Sequence, residues 1–235
     1  MAINIFPGSI NNDSKGFTLI ELLIAMAITG IVAGAIFTAF QSQQKSYLIQ
    51  DQVTEMQQNL RAGMDLMVRE IRMAGYDPHG DSGAGITAAA GNTLTFTLVA
   101  DNDSYDNDGD NVTDETGELK TIQYDLYDAY SDNNTDIGRR VGAKKRAAAE
   151  NIDNLEFYYT LKGATKTLTP ANPSEIRSVQ IAILARAEHE DPKFSNSKNY
   201  TTPSGANWAC NDGFRRRLLS TTVKCRNMGL YDRHE

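Results

Sequence analysis

The most apolar stretch of the sequence is residues 17–40, which contain a single ionisable side chain, that of Glu21. An α-helix rises roughly 1.5 Å per residue, so a helix of this length just spans a hydrocarbon core of about 30 Å. A carboxylate inside a bilayer costs about 2.5 kcal/mol or more, and such a residue usually has a functional partner. The stretch therefore predicts a membrane-spanning helix. Two interpretations of Glu21 remain: a side chain that reaches the lipid head groups, or one that meets a positive charge.

The helical pattern continues beyond the apolar stretch as a one-sided apolar stripe. Its members recur at steps of three and four residues: Ile49, Val53, Met56, Leu60, Met64, Met67 and Ile71. The opposite face carries Gln, Asp, Glu and Arg, and Ala74-Gly75 followed by Pro78 is a typical helix end. We therefore predict one helix over about residues 17–74. The stripe in its amphipathic half, residues 41–76, is interpreted as core rather than as a partner surface.

Alternating apolar and polar positions after the helix predict strands. The five predicted strands cover residues 94–98, 121–127, 151–159, 176–187 and 215–227. The segments between them are rich in polar residues and are interpreted as loops, namely 77–92, 101–118, 128–151 and 188–213. This order of elements predicts an α+β fold, in which the long helix packs on one antiparallel sheet of about five strands formed by residues 77–235.

The junction at the start of the apolar helix reads Lys15-Gly16-Phe17-Thr18-Leu19-Ile20-Glu21-Leu22. It resembles the processing site of the type IV pilin family, which includes the pseudopilins of type II secretion. The resemblance implies that residues 1–16 are a prepilin leader, which a prepilin peptidase on the cytoplasmic side removes after Gly16. It also implies that the new amino terminus, Phe17, is N-methylated and that Glu21 accepts the amine of a neighbouring subunit during assembly.

Three further segments narrow the resemblance to the PilW-type minor pilins, and the first of them also resembles, more loosely, the J-type minor pseudopilins. They are residues 69–76 at the end of the predicted helix, 149–159 at the third strand and 214–230 at the last strand. The resemblance implies the pilin fold and the role of a minor pilin. Such a protein is a structural subunit, not an enzyme, which is incorporated near the pilus tip and helps to start pilus assembly.

The same resemblance implies partners and a location. The partners are other minor pilins, the major pilin, the prepilin peptidase and the inner-membrane assembly platform. Before assembly the chain crosses the inner membrane once with its carboxyl-terminal domain in the periplasm, and after assembly it belongs to the pilus at the cell surface. Two alternatives stay open: a J-type pseudopilin of a type II secretion system, and an uncleaved membrane-anchored periplasmic binding protein. An anchored hydrolase would need a clustered nucleophile and base, and nothing in the sequence points to one.

Charge and cysteine content add two expectations. The chain of 235 residues carries a formal net charge of -7, which argues against a general nucleic-acid binder. A basic group in the loop 128–151 is interpreted as solvated or paired with an acidic neighbour, rather than as a DNA contact; it comprises Arg139, Arg140, Lys144, Lys145 and Arg146. The two cysteines, Cys210 and Cys225, predict one disulfide bond in a chain that leaves the cytoplasm.

The acidic segment 101–118 has the spacing of a calcium loop when Gly109 takes the sixth position. The candidate ligands are then Ser104, Asp106, Asp108, Asp110 through its carbonyl, and Glu115. Ser in the first position departs from the usual Asp. The alternative is an acidic loop that merely stays solvated. No cofactor is required, so calcium is the one possible cofactor that the sequence suggests.

Overall fold

A computed structural model describes residues 16–80, 82–100, 118–132 and 134–230. The chain forms two compact units, Met1–Leu48 and Ile49–Glu235. The first unit contains the amino-terminal part of helix α1. The second contains the rest of α1 and every strand of the described chain.

Helix α1 spans Leu19–Met73, close to the predicted range. Its buried residues are members of the predicted stripe together with one glycine: Met56, Leu60, Gly63, Met64, Met67 and Ile71. The helix is followed by Gly75, which adopts a φ of 74°, a conformation that a residue without a Cβ reaches at little cost. The Gly75 N–H donates to the Thr97 carbonyl at 3.0 Å, so the helix end is tied to a strand.

Eleven strands follow the helix in the described chain. Their bounds are β1 Ile86–Ala89, β2 Leu94–Val99, β3 Leu119–Tyr127, β4 Asp136–Val141, β5 Lys144–Ala149, β6 Ile152–Leu161, β7 Lys166–Thr167, β8 Ile176–Arg186, β9 Asn199–Thr201, β10 Asn207–Ala209 and β11 Arg216–Lys224. A short 3-10 helix, Pro173–Glu175, precedes β8, and the Asn172 side chain caps it by accepting from the Ser174 N–H.

The strands form two main antiparallel sheets and a small one. The five-stranded sheet has the order β1-β2-β3-β4-β5, so each strand pairs with its neighbours in sequence. The four-stranded sheet has the order β11-β8-β6-β7, and β9 pairs with β10 alone. β11 pairs with β8 in one continuous register, from Arg216 opposite Arg186 to Lys224 opposite Ser178.

One hydrophobic core in the second unit joins the helix stripe to both main sheets. Examples from the strands are Phe96, Ile122, Ile137, Phe157 and Ile181. A buried tyrosine links the sheets through a polar contact: the Tyr159 hydroxyl lies 2.8 Å from the Ala90 carbonyl and 3.2 Å from the Thr93 carbonyl. The prediction that the Met-rich stripe belongs to a core is therefore confirmed.

The prediction of a single sheet of about five strands was wrong. The predicted strands are present as β2, β3, β6, β8 and β11, but segments interpreted as loops hold further strands. β1 lies within 77–92, β4 and β5 lie within 128–151, and β9 and β10 lie within 188–213. The β4–β5 hairpin turns at Gly142, which has a φ of 54°. The charged residues of this hairpin led to the prediction of a loop. In the folded protein Glu70 on the helix binds Arg139, so the charged segment forms a strand instead.

A close approach of α1 to β5 makes Gly63 sensitive to substitution. A Cβ added at Gly63 would lie 2.7 Å from the Ala149 Cβ and 3.2 Å from the Ala148 carbonyl oxygen. We expect Gly63→Leu to destabilise the second unit by about 1–3 kcal/mol, since the two elements would have to separate. Denaturant unfolding measures the loss. Ala62→Leu, at the adjacent exposed position, is the matched control, and equal stability of the two variants would contradict the close approach.

Candidate assembly site

A reciprocal pair of side chains, Thr18 and Glu21, builds the amino-terminal turn of α1. The Thr18 N–H and the Thr18 hydroxyl each donate to Glu21 Oε2 at 2.9 Å. The Glu21 N–H donates in return to Thr18 Oγ1 at 3.3 Å. This arrangement is a capping box, in which Thr and a Glu three residues later satisfy N–H groups that the helix leaves free. The Thr-x-x-Glu spacing is the sequence signal by which the role of Thr18 could have been found.

The capping box places the Glu21 carboxylate beside the predicted processing junction. Gly16, Phe17 and Glu21 are all exposed, and Phe17 is 92% exposed. Both bonds from Thr18 end on Oε2, so Glu21 Oε1 accepts no hydrogen bond from the described part of the chain. The turn therefore offers an anionic acceptor close to the position where cleavage would create an amine.

The first part of α1 presents apolar side chains on all its faces. Every residue from 16 to 48 is exposed, including the large apolar residues Leu19, Ile20, Leu22, Leu23, Ile24, Met26, Ile28, Ile31, Val32, Ile36, Phe37 and Phe40. By length and composition α1 can cross a membrane. Because so large an apolar surface is unfavourable in water, it requires lipid or other apolar helices around it.

A polar cluster within the second unit joins α1 to β3 and β4. The Arg139 Nε lies 2.9 and 3.0 Å from the two carboxylate oxygens of Glu70, and Arg139 Nη2 lies 2.5 Å from Oε1. The Tyr124 hydroxyl also donates to Glu70. The hydrogen bonds to Glu70 raise the pKa of Arg139, and burial raises the pKa of Tyr124. The guanidinium therefore stays charged and the phenol stays neutral at physiological pH, so both side chains remain donors to Glu70.

A second ionic cluster surrounds Arg216 at the start of β11. The Arg216 side chain is only 6% exposed, and it contacts Asp153 on β6 and Asp212 in the preceding loop. The Nε atom of Arg186 on β8 lies 3.5 Å from Oδ1 of the same Asp153. The hydrogen bond from Arg216 lowers the pKa of Asp212. The cluster therefore holds the loop before β11 against the neighbouring strands.

The predicted disulfide bond was wrong, because both cysteines are free. Cys225 directly follows β11, whereas Cys210 lies near Arg216 at the other end of the same strand. At roughly 3.3 Å per residue β11 spans about 26 Å, while bridged cysteines have Cα atoms about 4.4–6.8 Å apart. An even cysteine count predicts pairing only when the fold brings the two thiols together.

The candidate calcium ligands Ser104, Asp106, Asp108, Asp110 and Glu115 lie outside the described residues, and calcium binding stays a prediction. Within the described ranges, no group of three or more His, Cys, Asp or Glu side chains could hold a metal ion.

The basic group that was predicted in a loop lies instead on the β4–β5 hairpin. Arg139 is bound to Glu70, and Lys145 Nζ lies 2.7 Å from Asp125 Oδ1 on β3. The interpretation that these basic side chains pair with acidic neighbours is therefore confirmed for Arg139 and Lys145.

Two family models match the chain. The prokaryotic N-terminal methylation motif matches residues 11–37, which contain the capping box and the predicted cleavage junction. The type IV pilus-assembly protein W model matches residues 111–227, which contain strands β3 to β11. The chain belongs to the type IV pilins, as a minor pilin of the PilW type.

A solved structure of a type IV-like pilin from Thermus thermophilus is similar to this PilW-type pilin. The sequence identity is 16% and the TM-score is 0.48, over 73% of this chain and 97% of that chain. A search of curated proteins found no match. The α+β class is evident from this chain's own elements, a long amino-terminal helix followed by antiparallel sheets, and the predicted fold class is confirmed.

Family membership gives the exposed apolar helix a role. Pilins are structural subunits rather than enzymes, and a long apolar amino-terminal helix that follows a methylation motif fits a membrane-anchored pilin. The apolar surface of residues 17–40 suits lipid tails and packed apolar helices alike, because each of them excludes water from it.

Proposed function

We propose that this PilW-type pilin is made as a prepilin, is cut between Gly16 and Phe17, is methylated at Phe17, and is incorporated near the pilus tip, where it helps to start assembly. The observation that carries the proposal is the position of Glu21. Its carboxylate lies in the first turn of a helix whose following side chains, through residue 40, are uncharged and exposed. A charge so placed needs a partner of opposite sign once the helix is surrounded by apolar material.

Cleavage would supply that partner. The amine at Phe17 is cationic, and inside a bundle of apolar helices an ammonium and a carboxylate each carry a desolvation penalty that their pairing largely offsets. Because the capping bonds occupy Oε2, Glu21 Oε1 can accept from the amine of a neighbouring subunit while the helix start stays intact. The carboxylate would thus set the axial position at which one subunit docks on the next.

The proposed location and partners follow from the same helix. Before assembly, residues 17–40 cross the inner membrane and the second unit lies in the periplasm. The prepilin peptidase acts at the cytoplasmic end of the helix, and the assembly platform then transfers the subunit from lipid to the filament. There it contacts other minor pilins and the major pilin through the apolar helix, and the PilW-type domain supports a place among the few subunits that begin the filament.

Intact mass and amino-terminal sequencing of the protein test the processing step. We expect protein recovered from membranes and from sheared pili to begin at Phe17 and to carry one added methyl group, because Gly16, Phe17 and Glu21 lie within the match to the N-terminal methylation motif. Cells without the peptidase are the control, and there the leader should be retained. A retained leader in cells with an active peptidase would instead support an uncleaved membrane-anchored protein.

A further inference from the structure

Four strands form the outer edges of the two main sheets, and three of them are poor surfaces for pairing with another chain. β1 has four residues and an irregular register. β7 has two residues. β5 has six, of which three are basic: Lys144, Lys145 and Arg146. Short, bulged or charged edges are the usual means by which proteins prevent strands of other molecules from adding to a sheet.

β11 is neither short nor bulged, and its three basic residues, Arg216, Arg217 and Lys224, lie only at its two ends. It has nine residues, pairs with β8 without any shift of register, and contains no proline. Its central residues, 218–223, carry no charge. A long regular edge of this kind is a template for an additional strand.

The hydrogen-bond pattern shows which backbone groups of β11 face outward. The Ala187 N–H donates to the Arg215 carbonyl and the Cys225 N–H donates to the Arg177 carbonyl, so the odd-numbered positions at both ends of the strand bond to β8. In an antiparallel ladder such bonds fall on alternate residues. The even-numbered residues therefore direct their N–H and C=O groups to the open side: Arg216, Leu218, Ser220, Thr222 and Lys224.

These outward groups have no hydrogen-bond partner within residues 16–80, 82–100, 118–132 and 134–230. The side chains leave the second half of the strand accessible, since Ser220, Thr222 and Lys224 are exposed, whereas Leu218 is half-buried and the Arg216 side chain is only 6% exposed. Water can satisfy these groups in the free protein, whereas a neighbouring strand would satisfy all of them at once.

The charges at the ends of β11 indicate which kind of strand could pair with its free edge. Both ends of β11 carry exposed basic side chains, Arg217 at one end and Lys224 at the other, and Arg226, which is also exposed, lies two residues beyond Lys224. Two antiparallel copies of β11 would bring like charges together at both ends, which is destabilising. An extended strand with acidic residues at its ends and small or β-branched residues between them would instead pair its charges with those of β11.

We propose that the free edge of β11 binds an extended, acidic-ended strand of a neighbouring pilin subunit, which extends the four-stranded sheet from one subunit into the next. This inference rests on the proposed function, because it assumes that the protein assembles with other pilins. It adds a specific contact between folded domains to the contacts that the apolar helices make.

Binding of a synthetic strand tests the edge directly. The probe is a labelled, end-blocked peptide, Glu-Thr-Val-Thr-Val-Thr-Val-Glu, added to the full chain in detergent. We expect Ser220→Pro to weaken binding about tenfold or more, because it removes an outward N–H donor and leaves the ladder to β8 intact. Ser220→Ala, which keeps the backbone donor, should bind like the wild type. Thermal melting checks that each variant is folded.

Charge reversal supplies a second variant that does not alter the backbone. Arg217→Glu/Lys224→Glu should prefer a probe with lysine ends over the probe with glutamate ends, whereas Lys166→Glu on the opposite edge of the sheet should not change the preference. A peptide with the same acidic ends and prolines at alternate positions should not bind. Failure of the strand probe to bind the wild type, or equal binding by Ser220→Pro, would overturn the proposal. Binding between two copies of the chain in place of the probe would also overturn it.

Measuring how much of each variant is incorporated into pili distinguishes failure of this inference from failure of the proposed function. If both hold, Ser220→Pro will be cleaved normally but will appear in sheared pili at a reduced level. If only the proposed function holds, Ser220→Pro will be incorporated like the wild type, while Glu21→Gln will not be. If the wild-type protein never reaches the pilus fraction, the proposed function itself fails.

Discussion

Glu21→Gln should leave cleavage and membrane insertion intact and reduce incorporation into pili by about a hundredfold, because a neighbouring ammonium loses a partner worth roughly 3 kcal/mol in an apolar setting. Gln can take the place of Glu in a capping box, so the bonds with Thr18 persist and the helix start is preserved. The substitution therefore removes the charge without removing the local structure. Comparing membrane-extracted and sheared-pilus fractions by quantitative immunoblot measures the effect.

The matched control for this experiment is Glu55→Gln, the same chemical change at an exposed position on the same helix but outside the apolar stretch. It should be incorporated like the wild type. If Glu21→Gln is also incorporated like the wild type, the carboxylate has no part in assembly. If Glu21→Gln is not cleaved, the side chain acts in processing rather than in docking.

Glu70→Ala should destabilise the second unit by about 2–4 kcal/mol, because it leaves a mostly buried guanidinium and a buried phenol without their acceptor. Arg139 and Tyr124 both direct their donors to this one carboxylate. Denaturant unfolding with a probe of the β-sheets measures the loss. Asp65→Ala, an exposed acidic residue on the same helix, should change the stability by less than about 0.5 kcal/mol.

A double-mutant cycle tests whether the loss arises from the pair. Glu70→Leu/Arg139→Met replaces both charges by apolar groups and should be more stable than the sum of the two single changes predicts, because no charge is left unpaired. Additive effects of the two substitutions would mean that the cluster does not couple α1 to β4, and that packing alone holds the helix on the five-stranded sheet.

The sequence predicted the features that depend on local periodicity. The long helix was recognised from the apolar stretch and the stripe from Ile49 to Ile71, and it spans Leu19–Met73. Strands with alternating apolar residues, such as β2 and β8, were also located correctly. These predictions succeed because the period of a helix or strand is imposed by its own backbone geometry.

The β4–β5 hairpin was predicted as a loop, and the error has a physical reason. Its strands carry several Arg and Lys residues, which favour a solvated loop when read alone. In the folded protein Glu70 neutralises Arg139 and Asp125 neutralises Lys145, and both acidic partners are distant in sequence. The disulfide prediction failed for a related reason, since the cysteine count says nothing about the strand that separates Cys210 from Cys225.

The sequence by itself determined the long apolar helix, the position of Glu21 at its start and the PilW resemblance, and it predicted the processing junction, because each of these lies in a short contiguous segment. Only the tertiary structure decided that two main sheets share the core, that Glu70 holds Arg139 and Tyr124, and that β11 lies at an open edge. The difference lies in the range of the interactions. A capping box or an apolar helix needs only neighbours three or four residues apart, whereas an ion pair across 69 residues or the order of strands in a sheet depends on how distant segments pack.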